Sequence, residues 1–312
     1  MKSFLECLVR QGYKDFEVIV VESGSSVKSD RVVENFKNEL AIKYIMKEND
    51  GQGFSRNRGM KEASGNYFII FDSDILIPDN YLETLDNHLK NDFLDAYGGP
   101  DRLHPNSSKI QVAINFCMTS FLTTGGTRGN KSNMGKYYPR SFNMGVSREV
   151  YEKVGGFDLP FLGEDIEYSH RIRNAGFKIG LIEKAYVNHE RKSSLQAFYK
   201  QIHFFGRARI NISTLIPQSF KLIHAIPLFY CAYSLMLVVL QLTSKDLAVL
   251  VSIPLIVYNL IILISATIKT KDLCVGIFSV LCTNSLMLAY CTGMIKEFNK
   301  LYILKQKQTY ST

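Results

Sequence analysis

The chain has 312 residues, 46% of them apolar, and a formal net charge of +8. Its basic residues are dispersed and are not interleaved with aromatic residues, so the sequence does not have the pattern of a nucleic-acid-binding surface. The positive charge favours anionic partners of another kind, such as phosphate groups or acidic lipids. Residues 1–8 lack a long apolar core followed by small residues. We therefore predict no secretory signal and expect the soluble part to be cytoplasmic.

Helical and extended patterns alternate over the first 71 residues, and a turn rich in Gly, Ser or Asn follows each of the first two extended segments. This β-α-β-α-β alternation predicts an α/β fold with a doubly wound, mostly parallel sheet and helices on both faces. The predicted elements are helix 3–11, strand 16–21, helix 29–40, strand 42–46, helix 55–63 and strand 67–71.

Two carboxylates, Asp72 and Asp74, follow the apolar run 67–71, which is typical of an interior strand of a parallel sheet. Ligands bind beyond the carboxyl ends of such strands. Side chains two residues apart leave the same face of an extended segment, so both acids can bind one hard cation, and that cation can hold a diphosphate. The alternative is an Asx turn that caps a helix after Pro78.

The segment 98–140 is rich in Gly, Asn, Ser and basic residues, and we predict a long excursion that closes over a ligand. Within it, Arg128, Lys131 and Lys136 suit a phosphate-binding loop.

A second pair of acids, Glu164 and Asp165, follows Gly163 at the predicted start of a helix. The helix dipole by itself favours acids at this position. An acid held on a rigid helix end is also what a general base requires. Further along, His189 ends a predicted strand and is a candidate metal ligand, although a lone histidine is more often structural.

Three nearly uncharged apolar runs, 222–242, 247–268 and 273–294, are each close to the roughly 20 residues that a membrane-spanning helix needs. Three buried helices of a soluble core are the weaker alternative, because such helices seldom lack a polar face. Beside the first run, Arg207, Arg209 and Lys221 suit acidic lipid headgroups. Three spans place the basic tail opposite the cytoplasm, against the positive-inside rule. We therefore expect one segment to be re-entrant or to lie flat in the interface, and the segment containing Pro227 is the first candidate. The tail lysines are Lys296, Lys300, Lys305 and Lys307.

Several motifs occur together in one order in the soluble part. They are residues 17–25 (EVIVVESGS), 56–59 (RNRG) with 63–65 (ASG), 72–74 (DSD), Asn143 before 155–158 (GGFD), 163–165 (GED) and His189. With these motifs the chain resembles the family 2 glycosyltransferases of the GT-A fold over nearly all of residues 5–209. The resemblance implies an inverting transfer of a sugar from a nucleotide-diphosphate donor, with Mg²⁺ or Mn²⁺ bridging the diphosphate.

The resemblance also implies a role for each matching residue. On the donor side, Glu22 stands where the family has an acid that contacts the base, Ser23 occupies the next position, and Arg56 lies near the nucleotide. Asp72 is expected to face the ribose or the metal.

The remaining roles concern the metal and the acceptor. Asp74 is expected to be a direct metal ligand, and His189 matches a position that coordinates the metal in some members. Asp165 is expected to be the base that deprotonates the acceptor hydroxyl, and Glu164 to bind the acceptor or orient the loop.

Two departures from the family pattern affect these expectations. The family begins with a strand that this sequence lacks before residue 3, so we expect a shortened form whose activity is in question. The family also commonly carries an acid or Asn at the position of Ser23.

The predicted organisation is a catalytic domain over residues 1–210 and a membrane region over 211–312. We expect a multi-pass protein of the cell inner membrane, in contact with membrane lipids, that adds a sugar to a lipid-linked or membrane-proximal glycan acceptor in cell-surface polysaccharide or glycolipid synthesis. The alternatives are a polyprenyl-phosphate glycosyltransferase and a non-catalytic membrane scaffold with a degenerate GT-A domain.

Overall fold

The computed structural model describes residues 1–125 and 137–306, which divide into two compact units. The first unit comprises Met1–His104 and Met134–Glu190, and the second comprises Pro105–Asn133 and Arg191–Thr309, each as far as it is described. The predicted phosphate-binding residues lie outside the described residues, as does one lysine of the tail. These residues are Arg128, Lys131, Lys136 and Lys307.

The described strands all belong to the first unit. In chain order they are β1 (Val18–Ser23), β2 (Ile42–Lys47), β3 (Tyr67–Phe71), β4 (Ile75–Leu76), β5 (Ala96–Gly98), β6 (Asp101–Leu103), β7 (Asn143–Ser147), β8 (Ile179–Leu181) and β9 (Val187–His189).

The described helices occur in both units. Those of the first unit are α1 (Lys2–Val9), α2 (Asp30–Glu34), α3 (Gln52–Glu62), α4 (Tyr81–Asn91), α7 (Arg148–Val154) and α8 (Glu164–Asn174). Those of the second unit are α5 (Lys109–Thr119), α6 (Phe121–Thr124), α9 (Leu195–Leu215), α10 (Ile226–Thr243), α11 (Lys245–Thr270) and α12 (Leu273–Phe298). Short 3₁₀ turns lie at Pro217–Ser219 and Leu222–Ala225, and a π-helical turn lies at Asn299–Ile303.

The described strands form three small sheets with mixed strand directions. β1 and β2 pair in parallel, with Val20 opposite Tyr44. The second sheet has the order β3-β7-β5-β8, in which β7 runs antiparallel to both neighbours and β8 is parallel to β5. In the third sheet, β9 is antiparallel to β4 and parallel to β6. The α/β architecture is as predicted, but among these six pairings only half are parallel.

The strand before Asp72 differs from its prediction as an interior parallel strand. β3 pairs antiparallel with β7 and is an edge strand of its described sheet. Its apolar run has another cause, because Phe68 and Ile70 pack into one core cluster while Tyr67 packs against another, together with Ile69 and Phe71. A strand that is buried on both faces needs apolar residues at every position, whichever way its neighbour runs.

The second unit contains three helices long and apolar enough to cross a membrane: Leu222–Thr243, Lys245–Thr270 and Leu273–Ile303. They match the three predicted runs. Pro227 lies in the first turn of α10, where it removes no helical hydrogen bond, so α10 is a continuous helix over Ile226–Thr243.

The described part of segment 98–140, which was predicted to be a long loop, contains regular secondary structure. It contains β6, α5 and α6, and both helices belong to the second unit. A ligand-covering loop is therefore not what this part of the segment forms.

The prediction that Arg207 contacts acidic lipid headgroups is wrong. Arg207 is buried and donates from Nε to Oε2 of Glu297 at 2.8 Å. α9 and α12 approach closely here, because a Cβ added to Gly206 would lie 2.2 Å from the carbonyl oxygen of Tyr290. The guanidinium is buried beside an acid and is not exposed to bind a headgroup.

Candidate active site

The amino end of α3 is held against the loop that precedes α8. Gly51 has φ of 114°, which favours glycine, and a Cβ added to Gly53 would lie 2.1 Å from the carbonyl oxygen of Leu159. The Gly53 N–H donates to the carbonyl oxygen of Pro160 at 3.0 Å. These glycines let α3 approach the loop more closely than any other residue would permit.

Asn57 fixes the same loop one turn later in α3. Its Nδ2 donates to the carbonyl oxygen of Phe157 at 2.8 Å, and its Oδ1 accepts from the Phe157 N–H at 2.7 Å. A Cβ added to Gly156 would lie 2.1 Å from the Asn57 side chain. The RNRG and GGFD motifs are therefore two sides of one contact.

Arg56 joins the two acidic motifs. Its Nη1 donates to Oε1 of Glu164 at 2.9 Å, and its Nη2 donates to Oδ1 of Asp72 at 3.2 Å. Gln52, one turn earlier in α3, donates to the same Glu164 oxygen at 2.6 Å. The strand end at Asp72 and the start of α8 thus share one guanidinium.

The Glu164 side chain is only 4% exposed, so its charge is largely removed from water. Burial raises the pKa of this carboxyl, and the neighbouring carboxylate of Asp165 raises it further. The Arg56 cation acts in the opposite direction and favours the ionised form. The charge state of Glu164 therefore depends on Arg56.

Asp165 lies in the first turn of α8, after a backbone turn of unusual conformation. Leu162 has φ of 62° and Gly163 has φ of 100°, so two consecutive residues adopt the left-handed region. For a leucine this conformation is strained, and such strain is concentrated at functional sites. One Asp165 oxygen accepts from the Ile166 N–H at 2.8 Å, and the other lies 3.5 Å from Nη1 of Arg140.

Asp74 and His189 meet where β4 pairs with β9, since Ile75 is opposite His189. His189 Nε2 lies 3.7 Å from Oδ1 of Asp74. The other ring nitrogen, Nδ1, is buried and has no hydrogen-bond partner among the described residues. The ring also packs against Phe142, with centroids 5.5 Å apart.

The chemistry of these residues fits a divalent cation. Carboxylate oxygens and imidazole nitrogens bind such ions at about 2.0–2.2 Å, so atoms 3.7 Å apart can share one ion. Over residues 1–125 and 137–306, no group of three or more His, Cys, Asp or Glu side chains is positioned to hold a metal. Asp72 instead pairs with Arg56. An ion here would take one or two protein ligands and complete its shell with phosphate oxygens and water, as Mg²⁺ commonly does.

Glu22 and Ser23 end β1 and contact the neighbouring strand. Glu22 is buried, and its Oε2 accepts from the Ser29 N–H at 2.7 Å and from the Tyr44 hydroxyl at 2.9 Å. Burial and this hydrogen bond raise the pKa of Tyr44 to about 12. Ser23 donates to the carbonyl oxygen of Glu48 at 3.0 Å. Glu22 therefore also orders the turn after β1.

Comparison with known proteins identifies the family. Residues 1–155 match the model described as glycosyl transferase family 2. The chain belongs to this family through that domain. Glu22, Ser23, Arg56, Asp72 and Asp74 lie within the matched residues, and Glu164, Asp165 and His189 lie beyond them.

Two curated relatives of the family 2 domain illustrate the similarity. Glycosyltransferase GlyA of Streptococcus pneumoniae is 37% identical over 86 residues, which is 27% of this chain and 12% of that protein. Poly-beta-1,6-N-acetyl-D-glucosamine synthase of Staphylococcus epidermidis is 26% identical over 176 residues, 54% of this chain and 41% of that protein. The match spans less than half the length of each of these relatives.

A solved structure gives the fold. Mannosyltransferase PcManGT from Pyrobaculum calidifontis, in complex with GDP-Man and Mn²⁺, superposes with a TM-score of 0.59 at 14% identity, covering 95% of this chain and 82% of that one. The predicted GT-A fold is confirmed.

Two residues of the site in this family 2 domain were missed from the sequence. Gln52 shares Glu164 with Arg56, and Arg140 lies beside Asp165. Gln52 lies one helical turn before Arg56, and that spacing was an available signal. Arg140 gives no local signal, because it lies 25 residues from Asp165 in the chain.

Proposed function

We propose that this chain is an inverting, metal-dependent glycosyltransferase. It transfers one sugar from a nucleotide-diphosphate donor to a lipid-linked or membrane-proximal glycan acceptor. The observation that carries the proposal is the convergence on Arg56 of the strand-end acid Asp72 and the helix-start acid Glu164, with Asp165 next along the helix. An inverting transfer requires an activated leaving group on one face of the sugar and a base on the other.

Asp165 is the proposed general base. Its carboxylate is held by the Ile166 N–H on one oxygen, and the other oxygen faces Arg140. A base with a fixed orientation can accept the proton of an acceptor hydroxyl as that hydroxyl attacks the anomeric carbon. Glu164 is buried beside it and keeps the start of α8 in place through Arg56 and Gln52.

On the donor side, Asp72 and Asp74 follow the same strand, and the proposed roles are ribose or metal contact for Asp72 and metal binding for Asp74 with His189. A bound Mg²⁺ or Mn²⁺ supplies positive charge to the diphosphate leaving group. The GT-A neighbour in complex with GDP-Man and Mn²⁺ supports both the donor class and the metal. Glu22 and Ser23 are proposed to line the base pocket beyond β1.

The acceptor class follows from the second unit. Three helices long and apolar enough to cross a membrane would bring the catalytic domain to a bilayer surface, where lipid-linked acceptors are found. Within the predicted ranges 1–210 and 211–312, we propose that the first unit is the catalytic domain on the cytoplasmic side of the cell inner membrane and that 211–312 is the membrane region. Residues 105–125 and 191–210 belong to the second unit and are not assigned to the catalytic domain. The proposed role is in cell-surface polysaccharide or glycolipid synthesis.

The test is transfer from a panel of radiolabelled UDP-, GDP- and TDP-sugars in membranes containing the protein, with Mn²⁺ and a lipid extract. The expected result is transfer of one donor's sugar to extractable lipid, with release of the nucleoside diphosphate. If no donor is consumed while the protein is folded and membrane-bound, the non-catalytic scaffold replaces this proposal.

Replacing Arg56 tests the link between the acidic motifs. Arg56→Gln removes the cation beside Glu164, so the pKa of Glu164 should rise further. If transfer needs ionised Glu164, the rate at neutral pH should fall about tenfold or more, about 1.4 kcal/mol or more in barrier. The acid limb of the pH–rate profile should move to higher pH, so raising the pH should restore part of the rate.

The matched control is Arg58→Gln on the same helix, because Arg58 pairs with Glu62 at the protein surface. An unshifted pH profile in Arg56→Gln would mean that Glu164 does not depend on Arg56.

Replacing Asp74 tests the metal site. Asp74→Asn should abolish the Mn²⁺-dependent part of donor binding, because a neutral amide is a much weaker ligand than a carboxylate. Donor binding is measured by calorimetry with Mn²⁺ and with EDTA. Asp79→Asn, an exposed acid that pairs with Arg10, is the control. Retained Mn²⁺ dependence in Asp74→Asn would remove Asp74 from the metal site.

A further inference from the structure

The segment 105–125, which contains α5 and α6, packs along two of the helices proposed to span the membrane. Lys109, the first residue of α5, pairs with Asp272 at the turn between α11 and α12, at 2.8 Å. Near the other end of α5, Cys117 contacts the Ser279 carbonyl oxygen and the Thr283 hydroxyl of α12, both at 3.3 Å. α5 therefore starts beside the amino end of α12 and runs in the same direction.

These contacts indicate how far the segment extends along α12. Thr283 is ten residues beyond Leu273, where α12 begins. At about 1.5 Å per residue this is about 15 Å, or about half the thickness of a 30 Å hydrocarbon core. Beyond α5, the hydroxyl of Tyr258, near the middle of α11, donates to the Leu122 carbonyl oxygen at 3.1 Å. The tip of the segment thus lies beside the middle of an apolar helix.

Several polar groups of the segment are satisfied within the second unit. Gln111 donates to the Arg191 carbonyl oxygen, and Asn115 accepts from the Arg191 guanidinium. The hydroxyls of three threonines donate to backbone carbonyls of the segment itself. These are Thr119 to Asn115, Thr123 to Cys117 and Thr124 to Ser120. Internal satisfaction of this kind is what a hydrocarbon environment requires of backbone and hydroxyl groups.

The tip exposes apolar side chains. Phe121 is 78% exposed, and Leu122 is also exposed. Phe121 is at the start of α6, whose Leu122 contacts Tyr258 of α11. The outward faces of α10 and α11 are likewise apolar, with exposed residues such as Phe229 and Ile261. The exposed tip thus adjoins the surface that lipid covers if these helices span a bilayer.

We infer that residues 105–125 form a re-entrant segment that inserts from the side of the α11–α12 turn to about the middle of the bilayer, with Phe121 in contact with lipid acyl chains. The inference rests on the proposed membrane location of α10–α12. It assigns a fourth membrane-embedded element beside the three long apolar helices.

The chain contains no tryptophan, so the fluorescence of a single introduced tryptophan reports the surroundings of that one residue. Phe121→Trp is compared with Phe229→Trp, on α10, and with Phe93→Trp, an exposed aromatic position (53%) of the first unit. Each full-length variant is reconstituted into phosphatidylcholine–phosphatidylglycerol vesicles whose acyl chains are brominated or not. Leu122→Trp is a second probe of the tip.

Brominated acyl chains should quench the tryptophan fluorescence of Phe121→Trp and Leu122→Trp at least half as strongly as that of Phe229→Trp. Acrylamide, which is dissolved in the water, should strongly quench the fluorescence of Phe93→Trp only. Quenching of Phe229→Trp without quenching of either tip variant would overturn the re-entrant segment and leave the proposed membrane location standing. Loss of lipid quenching in Phe229→Trp as well would instead overturn the membrane location of α10 itself.

Discussion

Asp165→Asn is expected to bind the donor with unchanged affinity and to transfer sugar roughly 10²–10⁴ times more slowly, the usual contribution of a general base. The amide has nearly the shape of the carboxylate, and its oxygen can still accept from the Ile166 N–H. It cannot accept the proton of the acceptor hydroxyl. Donor binding is measured by calorimetry, and transfer is measured as label moved into lipid.

Glu149→Gln is the matched control for this substitution, because Glu149 is also an acid in the first turn of a helix of the first unit, but it is exposed and pairs with Lys153. Full transfer by Asp165→Asn would show that the base is another residue. Loss of donor binding together with transfer would instead give Asp165 a role in donor binding or in folding of the α8 loop.

Arg207→Met is expected to destabilise the second unit by roughly 3–5 kcal/mol, because it leaves the carboxylate of Glu297 buried without its partner. The Glu297 side chain is only 1% exposed, and its other oxygen, Oε1, has no partner in the described part of the chain. The crossing of α9 and α12 at Gly206 and Gly293 is too close to admit water readily. The measurement is the midpoint of thermal unfolding in detergent micelles.

The double variant Arg207→Met with Glu297→Met separates the two explanations for such a loss. If the cost comes from an unpaired buried charge, replacing both partners with apolar residues should recover most of the stability. If Arg207 matters through its packing, the double variant should be at least as unstable as the single one. Arg209→Met, two residues on, is the single-residue control, since its guanidinium donates to a neutral acceptor, the Ser219 carbonyl oxygen.

Much of the secondary structure follows from local pattern. α1, for example, places Phe4, Leu5 and Leu8 on one buried face at helical spacing, and that spacing is visible in the sequence. β3 was located correctly by its apolar run, but its partner was not. A run that is apolar at every position indicates burial on both faces and carries no information about the direction of the neighbouring strand.

The candidate site was predicted as a set of residue types, without their partners. The acids Asp72 and Glu164 were identified from their positions at a strand end and a helix start. Their shared contact with Arg56 was not, because it depends on how α3 packs against the loop before α8. That packing is permitted by Gly51 and Gly53 and fixed by Asn57.

By itself, the sequence determined the family 2 domain, the α/β elements and three apolar helices, because these depend on residue types at short spacings. The tertiary structure decided which charges meet. It paired Arg207 with Glu297 and moved residues 105–125 from a predicted loop to helices of the second unit. Such pairings depend on contacts between residues far apart in the chain, and a single sequence carries no local pattern that specifies them.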